Sequence, residues 1–91
     1  KTLRQAVRMG LAVQVAENRF FAPAALRAHA ETFETMIASE GTVGVSPFRQ
    51  QAGIGRNLAV EVLEYFDRAG LSRRDGNARH QVRPVAEVFG T

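Results

Sequence analysis

The chain has 91 residues, enough for one small domain or for one domain with a fragment of another, and 45% of them are hydrophobic, as in an ordinary globular chain. It has no cysteine, which excludes a disulfide framework, a cysteine-ligated zinc site and a cysteine nucleophile, and is compatible with a reducing cytoplasm. The formal net charge is only +3, no apolar run is long enough to span a bilayer or to resemble a secretory signal, and a start at Lys1 rather than methionine leads us to expect a piece of a longer protein.

Residues 1–9 read as the last turns of a helix, because Leu3, Ala6 and Val7 have helical spacing and Gly10 is a natural stop. Residues 11–15 alternate and are β-branched, Glu17-Asn18 is a turn, and Arg19-Phe20-Phe21 returns as a second strand. Pro23 opens a second helix running to about Ser39, with Leu26, Ala30, Phe33 and Ile37 on one face and Gly41 after its end. Thr42-Val43-Gly44-Val45 is a small strand. Ser46-Pro47 reads as a cap and a first-turn proline, so a short helix begins at Phe48. Ala52-Gly53-Ile54-Gly55 breaks it. A longer helix then runs from Arg56 or Asn57 to about Arg68, with Ala59, Val62, Leu63 and Phe66 in a buried stripe and Gly70 as its stop. Residues 71–74 and 78–82 form a second hairpin around the turn Asp75-Gly76-Asn77, closed by Pro84. The tail 85–91 carries Val85, Val88 and Phe89, enough to pack back onto the rest.

Short helix, glycine break and longer helix make a helix-turn-helix pattern. A helix and small strand before it, and a hairpin after it, make it a winged helix: an α+β, mainly α fold with a three-helix core and a β-hairpin wing. The order helix, Gly10-Leu11, hairpin, Pro23 repeats as helix, Gly70-Leu71, hairpin, Pro84. Residues 1–22 are therefore expected to be the final helix and wing of a truncated preceding winged-helix module, and residues 23–91 a complete one. Leu26, Phe33, Ile37, Phe48, Ala59, Val62, Leu63 and Phe66 are the expected core.

Charge placement says more than net charge. Eleven of the twelve cations are arginine, and five of these (68, 73, 74, 79 and 83) lie within residues 68–83 with one acid, Asp75. Arginine grips phosphate bidentately and stacks on bases, so a nucleic-acid partner is a live reading beside that of a merely solvated basic surface. The start of the long helix offers unpaired backbone N–H groups at residues 55–58. Gly55 lets backbone approach a phosphate, and Arg56 adds a cation beside Asn57. Arg73, Arg74, Asn77, Arg79 and His80 lie on or beside the wing, and Arg73 and Arg79 are expected near each other across its strands. Glu61, Glu64 and Asp67 make the outer face of the long helix acidic, which opposes laying that helix along a DNA groove and favours an end-on contact with a hairpin loop.

Other chemistries find little support. Gly53-Ile54-Gly55-Arg56-Asn57 follows a helix and is no nucleotide-binding loop. His29 and His80 lack ligand spacing, and His29 is expected on a helix surface. Glu31/Glu34 and Glu61/Glu64 have helix-face spacings, and Ser39, Ser46 and Ser72 read as turn or cap residues, so no catalytic residue is expected.

Phe48-Arg49, Gly53, Gly55-Arg56, Leu63-Glu64-Tyr65-Phe66-Asp67-Arg68, Gly70, Arg73-Arg74 and Gly76-Asn77 carry a resemblance. Over about residues 42–83 the chain resembles the C-terminal winged-helix region of SelB, the family of bacterial selenocysteine-specific translation elongation factors. The resemblance implies a string of winged helices at the end of a cytoplasmic GTP-binding factor, the last of which binds the selenocysteine insertion hairpin of messenger RNA. GTP, magnesium, selenocysteyl-tRNA and the ribosome would be bound through the full-length protein, with no cofactor and no catalysis in this fragment. It also implies that Arg56, Arg73, Arg74 and Asn77 contact the hairpin, with Arg79 and His80 beside them. Asn57 stands where a lysine often follows the arginine, and Asp75 where a basic residue is common. The alternatives are a winged-helix DNA-binding regulator and a protein-interaction winged helix. With no heptad seam, a monomer without membrane attachment is expected.

Overall fold

Apolar residues at helical spacing need partner faces, and in the computed structural model, which describes residues 3–90, they find them in one another. The chain forms α1 (Leu3–Arg8), β1 (Val13–Ala16), β2 (Arg19–Phe21), α2 (Pro23–Glu40), β3 (Val43–Gly44), α3 (Val45–Ala52), α4 (Arg56–Ala69), β4 (Ser72–Asp75), β5 (Ala78–Gln81) and α5 (Val85–Phe89). Phe33 of α2, Phe48 of α3 and Phe66 of α4 meet as a triangle. Their ring centroids lie 5.7 Å (33–66), 6.3 Å (48–66) and 6.4 Å (33–48) apart, within the range of favourable aromatic pairs. Leu26, Ala30, Ala59, Val62, Leu63 and Leu71 complete a core from which solvent is excluded.

Seven of the eight expected core residues are fully buried. The exception is Ile37, which is half-buried and packs against the edge of the core. Val15, Val43 and Val85, from a strand of each sheet and from α5, fill the places that helix periodicity could not reveal. α3 also begins earlier than the Ser46-Pro47 pair suggests. Gly44 is its N-cap, so Pro47 lies inside the first turn, where its missing N–H has no helical partner to lose.

β3 pairs with β5 and β5 with β4, all antiparallel, giving the order β3-β5-β4. The wing thus hangs on the strand that enters the helix-turn-helix. β1 and β2 form a separate hairpin with a register shift between Gln14 and Ala16. That hairpin packs onto α4: Val15 joins the core, Arg68 donates to the Val15 carbonyl, and Arg19 meets Glu61 at 3.0 Å. α1 ends in Leu11 N–H to Ala6 O (2.8 Å) and α4 in Leu71 N–H to Phe66 O (3.0 Å), the same six-to-one closure on each helix before its hairpin. His29 departs from expectation. It sits half-buried, edge-on to Phe21 at 5.6 Å and Phe48 at 6.4 Å, and burial lowers its pKa because the charged ring loses water there.

One carboxylate closes the far side. Glu34 of α2 accepts from the Gln81 side chain (2.7 Å) and from the Val85 N–H at the start of α5 (2.9 Å), joining helix, wing strand and terminal turn. The Val85 amide, then Gln81, lowers the Glu34 pKa.

Two outcomes follow. Phe66→Ala removes the ring shared by two sides of the triangle and should cost about 3–5 kcal/mol, measured by urea unfolding at neutral pH. Glu34 has a folded pKa below its ordinary value, so its contribution is complete above the unfolded pKa and lost as pH falls through the folded one. Glu34→Gln should therefore lower the melting temperature at pH 7, and the gap from the parent chain should close in acid.

Candidate nucleic-acid interface

α4 starts without a side-chain cap. Gly55 is its N-cap, with extended backbone (φ −73°, ψ 163°), and the Gly55 carbonyl takes the first helical bond from Ala59 N–H at 2.9 Å. The N–H groups of Arg56, Asn57 and Leu58 precede that bond and point out of the helix end, where the helix dipole is positive. A Cβ on Gly55 would meet nothing within 4 Å, so open space lies directly before these donors. Gly55, Arg56 and Asn57 are all exposed.

The wing brings its tip to the same place. Ser72–Asp75 and Ala78–Gln81 are joined by the two-residue loop Gly76-Asn77. Gly76 has φ +64° and Asn77 has negative φ, the order of signs of a type II′ turn, which makes glycine the fitting residue at its first position. Arg74 Nε donates to the Gly76 carbonyl at 2.9 Å, so this arginine folds back over the turn and is held there. Between wing tip, α4 entrance and the start of α3 lies a concavity of about 400 Å3. Arg56, Arg74, Asn77 and Arg79 line it with Ser46, Pro47 and Glu64. Arg56 reaches Ser46 Oγ at 3.5 Å across its floor.

The expected site residues divide between two faces of the wing. Paired residues of antiparallel strands share a face, and alternate residues change face. The register pairs Arg74 with Arg79 and Arg73 with His80. Arg74 and Arg79 are thus on the helix-facing side, and Arg73 and His80 on the outer side. The neighbour of Arg79 across the strands is Arg74, not Arg73 as the sequence suggested, since the turn centres on residues 76 and 77. Arg73 is exposed and His80 half-buried. Arg73 borders a second hollow of about 350 Å3 with Val82 and Arg83.

Arg79 is the greatest departure. Its side chain is only 4% exposed, and its Nε donates to both oxygens of Asp67, at 3.0 and 3.2 Å. Asp67 therefore turns inward instead of adding to an acidic outer face. Glu61 is engaged by Arg19, which leaves Glu64 as the acid beside the concavity. Other cations of the basic stretch are engaged as well. Arg68 lies over the Tyr65 ring at 5.7 Å, and Arg83 meets Glu87 at 3.5 Å. What faces the concavity is Arg56 and Arg74, with the amide of Asn77. Together they suit a phosphate at the helix entrance and a base edge or loop backbone at the wing. Sequence reasoning missed Ser46, Val60 and Glu64 as walls of this space. Spacing on α4 could have found Val60 and Glu64, one and two turns on from Arg56 and Asn57.

Among the described residues, no cluster of three or more potential metal ligands occurs, and no helix is long and apolar enough to cross a membrane.

Comparison with known proteins places these features in a family. The model of the winged helix of elongation factor SelB matches residues 35–81. The selenocysteine-specific elongation factor of Escherichia coli (strain K12) is 36% identical over 76 residues, 84% of this chain. That of Haemophilus influenzae is 36% identical over 73 residues, 80% of this chain. The chain spans 12% of the length of each of these relatives. Among solved structures, the mRNA-binding domain of elongation factor SelB from E. coli, in complex with SECIS RNA, superposes with a TM-score of 0.85 at 32% identity, covering 89% of this chain and 67% of that one. A bacterial selenocysteine-specific elongation factor EF-Sec shares the fold at a TM-score of 0.79 and 23% identity, over 89% of this chain and 13% of that one.

The turn is open to a direct test. Gly76→Ala forces a Cβ into the left-handed region and should cost about 1–2 kcal/mol. Thermal melts measure the cost, and amide hydrogen exchange should rise first in β4 and β5.

Proposed function

The chain belongs to the winged-helix family of elongation factor SelB, and from that premise we propose that it binds the selenocysteine insertion hairpin of messenger RNA end-on, through the entrance of α4 and the tip of the wing. The observation that carries this reading is the concavity that Arg56 of the α4 entrance shares with Arg74 and Asn77 of the wing. The contact is small and directional. A hairpin loop offers splayed bases and sharply turned phosphates to such a surface, whereas a long duplex does not. Glu64 on α4, exposed beside the concavity, would face the phosphates of a duplex groove, so a DNA-binding regulator is the poorer fit.

Within this reading, Gly55 admits a phosphate to the helix end, Arg56 forks onto it, and Asn57 supplies a neutral donor. Arg74 and Asn77 take the loop backbone and a base edge. Arg73 and His80, on the outer face of the wing, meet a different part of the RNA from Arg74. Residues 1–22 are the last helix and wing of a preceding winged-helix module, and residues 23–91 a complete one. The longer factor would bind GTP with magnesium and deliver selenocysteyl-tRNA to the ribosome in the cytoplasm, while this non-catalytic, monomeric segment anchors it to the message.

The deciding experiment is a competition between an RNA hairpin with a single-stranded apical loop and a DNA duplex, at two salt concentrations. The hairpin should win at both, and preference for the duplex would refute the reading. Arg74→Ala should weaken hairpin binding by about 1–3 kcal/mol with little change in melting temperature, read by fluorescence anisotropy. Gly55→Ala separates approach from stability. Its extended backbone suits alanine and nothing obstructs the new methyl, so melting should barely move while hairpin affinity falls. Asn57→Lys should raise affinity at low salt and steepen the salt dependence by about 0.7–0.9.

A further inference from the structure

Asp67, in the last turn of α4, accepts from both strands of the wing. Ser72 Oγ, at the first residue of β4, donates to Oδ1 at 2.6 Å, and Arg79 Nε, on β5, reaches both oxygens. Ser72 and Arg79 are each 4% exposed, while the Asp67 side chain keeps 26% of its surface open to the hollow beside Arg73. The remaining link from α4 to the wing is the two-residue passage Gly70-Leu71, with Gly70 left-handed at φ +84°. β3 and Glu34 hold β5 from the side of α2 and α3, so the bonds to Asp67 are the side-chain contacts that tie both strands of the hairpin to α4.

The geometry points to Asp67 and Arg79 as positioning residues for the RNA site: their half-buried pair, with Ser72, fixes the wing against α4 and so aims Arg74 and Asn77 at the helix entrance. This rests on the RNA-hairpin reading above and deepens it, because it moves Arg79 from the set of contacts to the frame that holds them.

The lever is long enough to matter. From Ser72 to Asp75 the strand advances about 10 Å at roughly 3.3 Å per residue, so a tilt of about 10° at the clamp moves the tip by about 2 Å. Hydrogen bonds tolerate only about 0.5 Å in donor–acceptor distance, so that shift would separate Arg74 from any phosphate also held at Arg56. A buried ion pair adds little net stability over an apolar substitute, but it holds one arrangement sharply against others. Arg74 lies directly opposite Arg79. Because Asp67 offsets the charge of Arg79, Arg74 can sit there without facing a bare cation.

Asp67→Asn gives opposite signs for the two roles of Arg79. If Arg79 were a contact, losing the carboxylate would free a cation and tighten RNA binding. As a positioning pair, Asp67→Asn should weaken it at least about fivefold, and Arg79→Lys, which keeps the charge but not the guanidinium, should do the same. Binding is read by anisotropy with a fluorescent apical-loop RNA hairpin, well below the melting temperature of every variant. Asp67→Asn and Arg79→Gln should be strongly non-additive when combined. The slope of log affinity against log salt should stay at the parent value in Arg79→Gln and fall in Arg74→Ala. Hydrogen exchange on the free chain should show faster wing amides in Asp67→Asn, with the triangle of phenylalanines unaffected. Tighter binding by Asp67→Asn, a lowered slope in Arg79→Gln, or unchanged affinity with a lowered melting temperature overturns the assignment. If the parent chain fails to bind the hairpin, the RNA reading falls instead. The exchange data then still decide whether the clamp holds the wing, and unchanged wing exchange overturns it outright.

Discussion

The contact among Phe33, Phe48 and Phe66 is the constraint on which the rest depends. Each ring comes from a different helix, so no helix can rotate or slide without breaking two of the three contacts. Phe66 fixes the rotation of α4. With that rotation set, the apolar stripe of Ala59, Val62 and Leu63 faces inward, and the entrance at Gly55–Asn57 projects past the start of α3. Phe89 of α5 meets Phe66 at 6.0 Å and covers the remaining side. A core of this size has little to spare, so the surface proposed to bind is built from helix ends and a turn and not from a polar cavity cut into the middle.

The second level of order is electrostatic, and it runs opposite to what a basic stretch suggests. Arg68, Arg79 and Arg83 each engage a carbonyl or a carboxylate of the chain itself. Their function is to join α4 to the first hairpin, α4 to the wing, and the wing exit to Gly70 and Glu87. The charge left for a ligand is therefore small and lies at a few defined points. A surface of this kind gains little from long-range attraction and must depend on fit, so the angle of the wing matters more to it than the number of its cations.

Most of the fold was legible in the sequence because it depends on local rules. Glycine stops, the first-turn proline at residue 23 and the stripe on α4 are written in adjacent residues, and the helix-turn-helix and wing follow from their order. That Arg56, Arg74 and Asn77 belong to a helix entrance and a hairpin tip was legible for the same reason, since both are local features, and the structure brings the three to one concavity. What could not be read were choices of partner between distant segments. Arg79 looks like a wing cation until β5 is paired with β4 and its face is known. Asp67 looks exposed until the wing folds back over α4, twelve residues on. His29 looks like a surface residue until Phe21 and Phe48 enclose it, and Glu34 looks solvated until Val85 and Gln81 arrive from the far end of the chain.

The same distinction explains what family membership conveys. The most recognisable stretch, Leu63-Glu64-Tyr65-Phe66-Asp67-Arg68, is almost entirely frame. Leu63 and Phe66 are core, Tyr65 lies under Arg68, Arg68 holds the first hairpin, and Asp67 holds the wing. Only Glu64 borders the concavity. A match over this stretch therefore transfers the geometry of the site with much more force than its preferences. On the proposed reading those are set at the helix entrance and the wing turn, at positions such as Asn57 and Asp75. Both positions are exposed, so the frame can stay fixed while substitutions there change the chemistry of the surface.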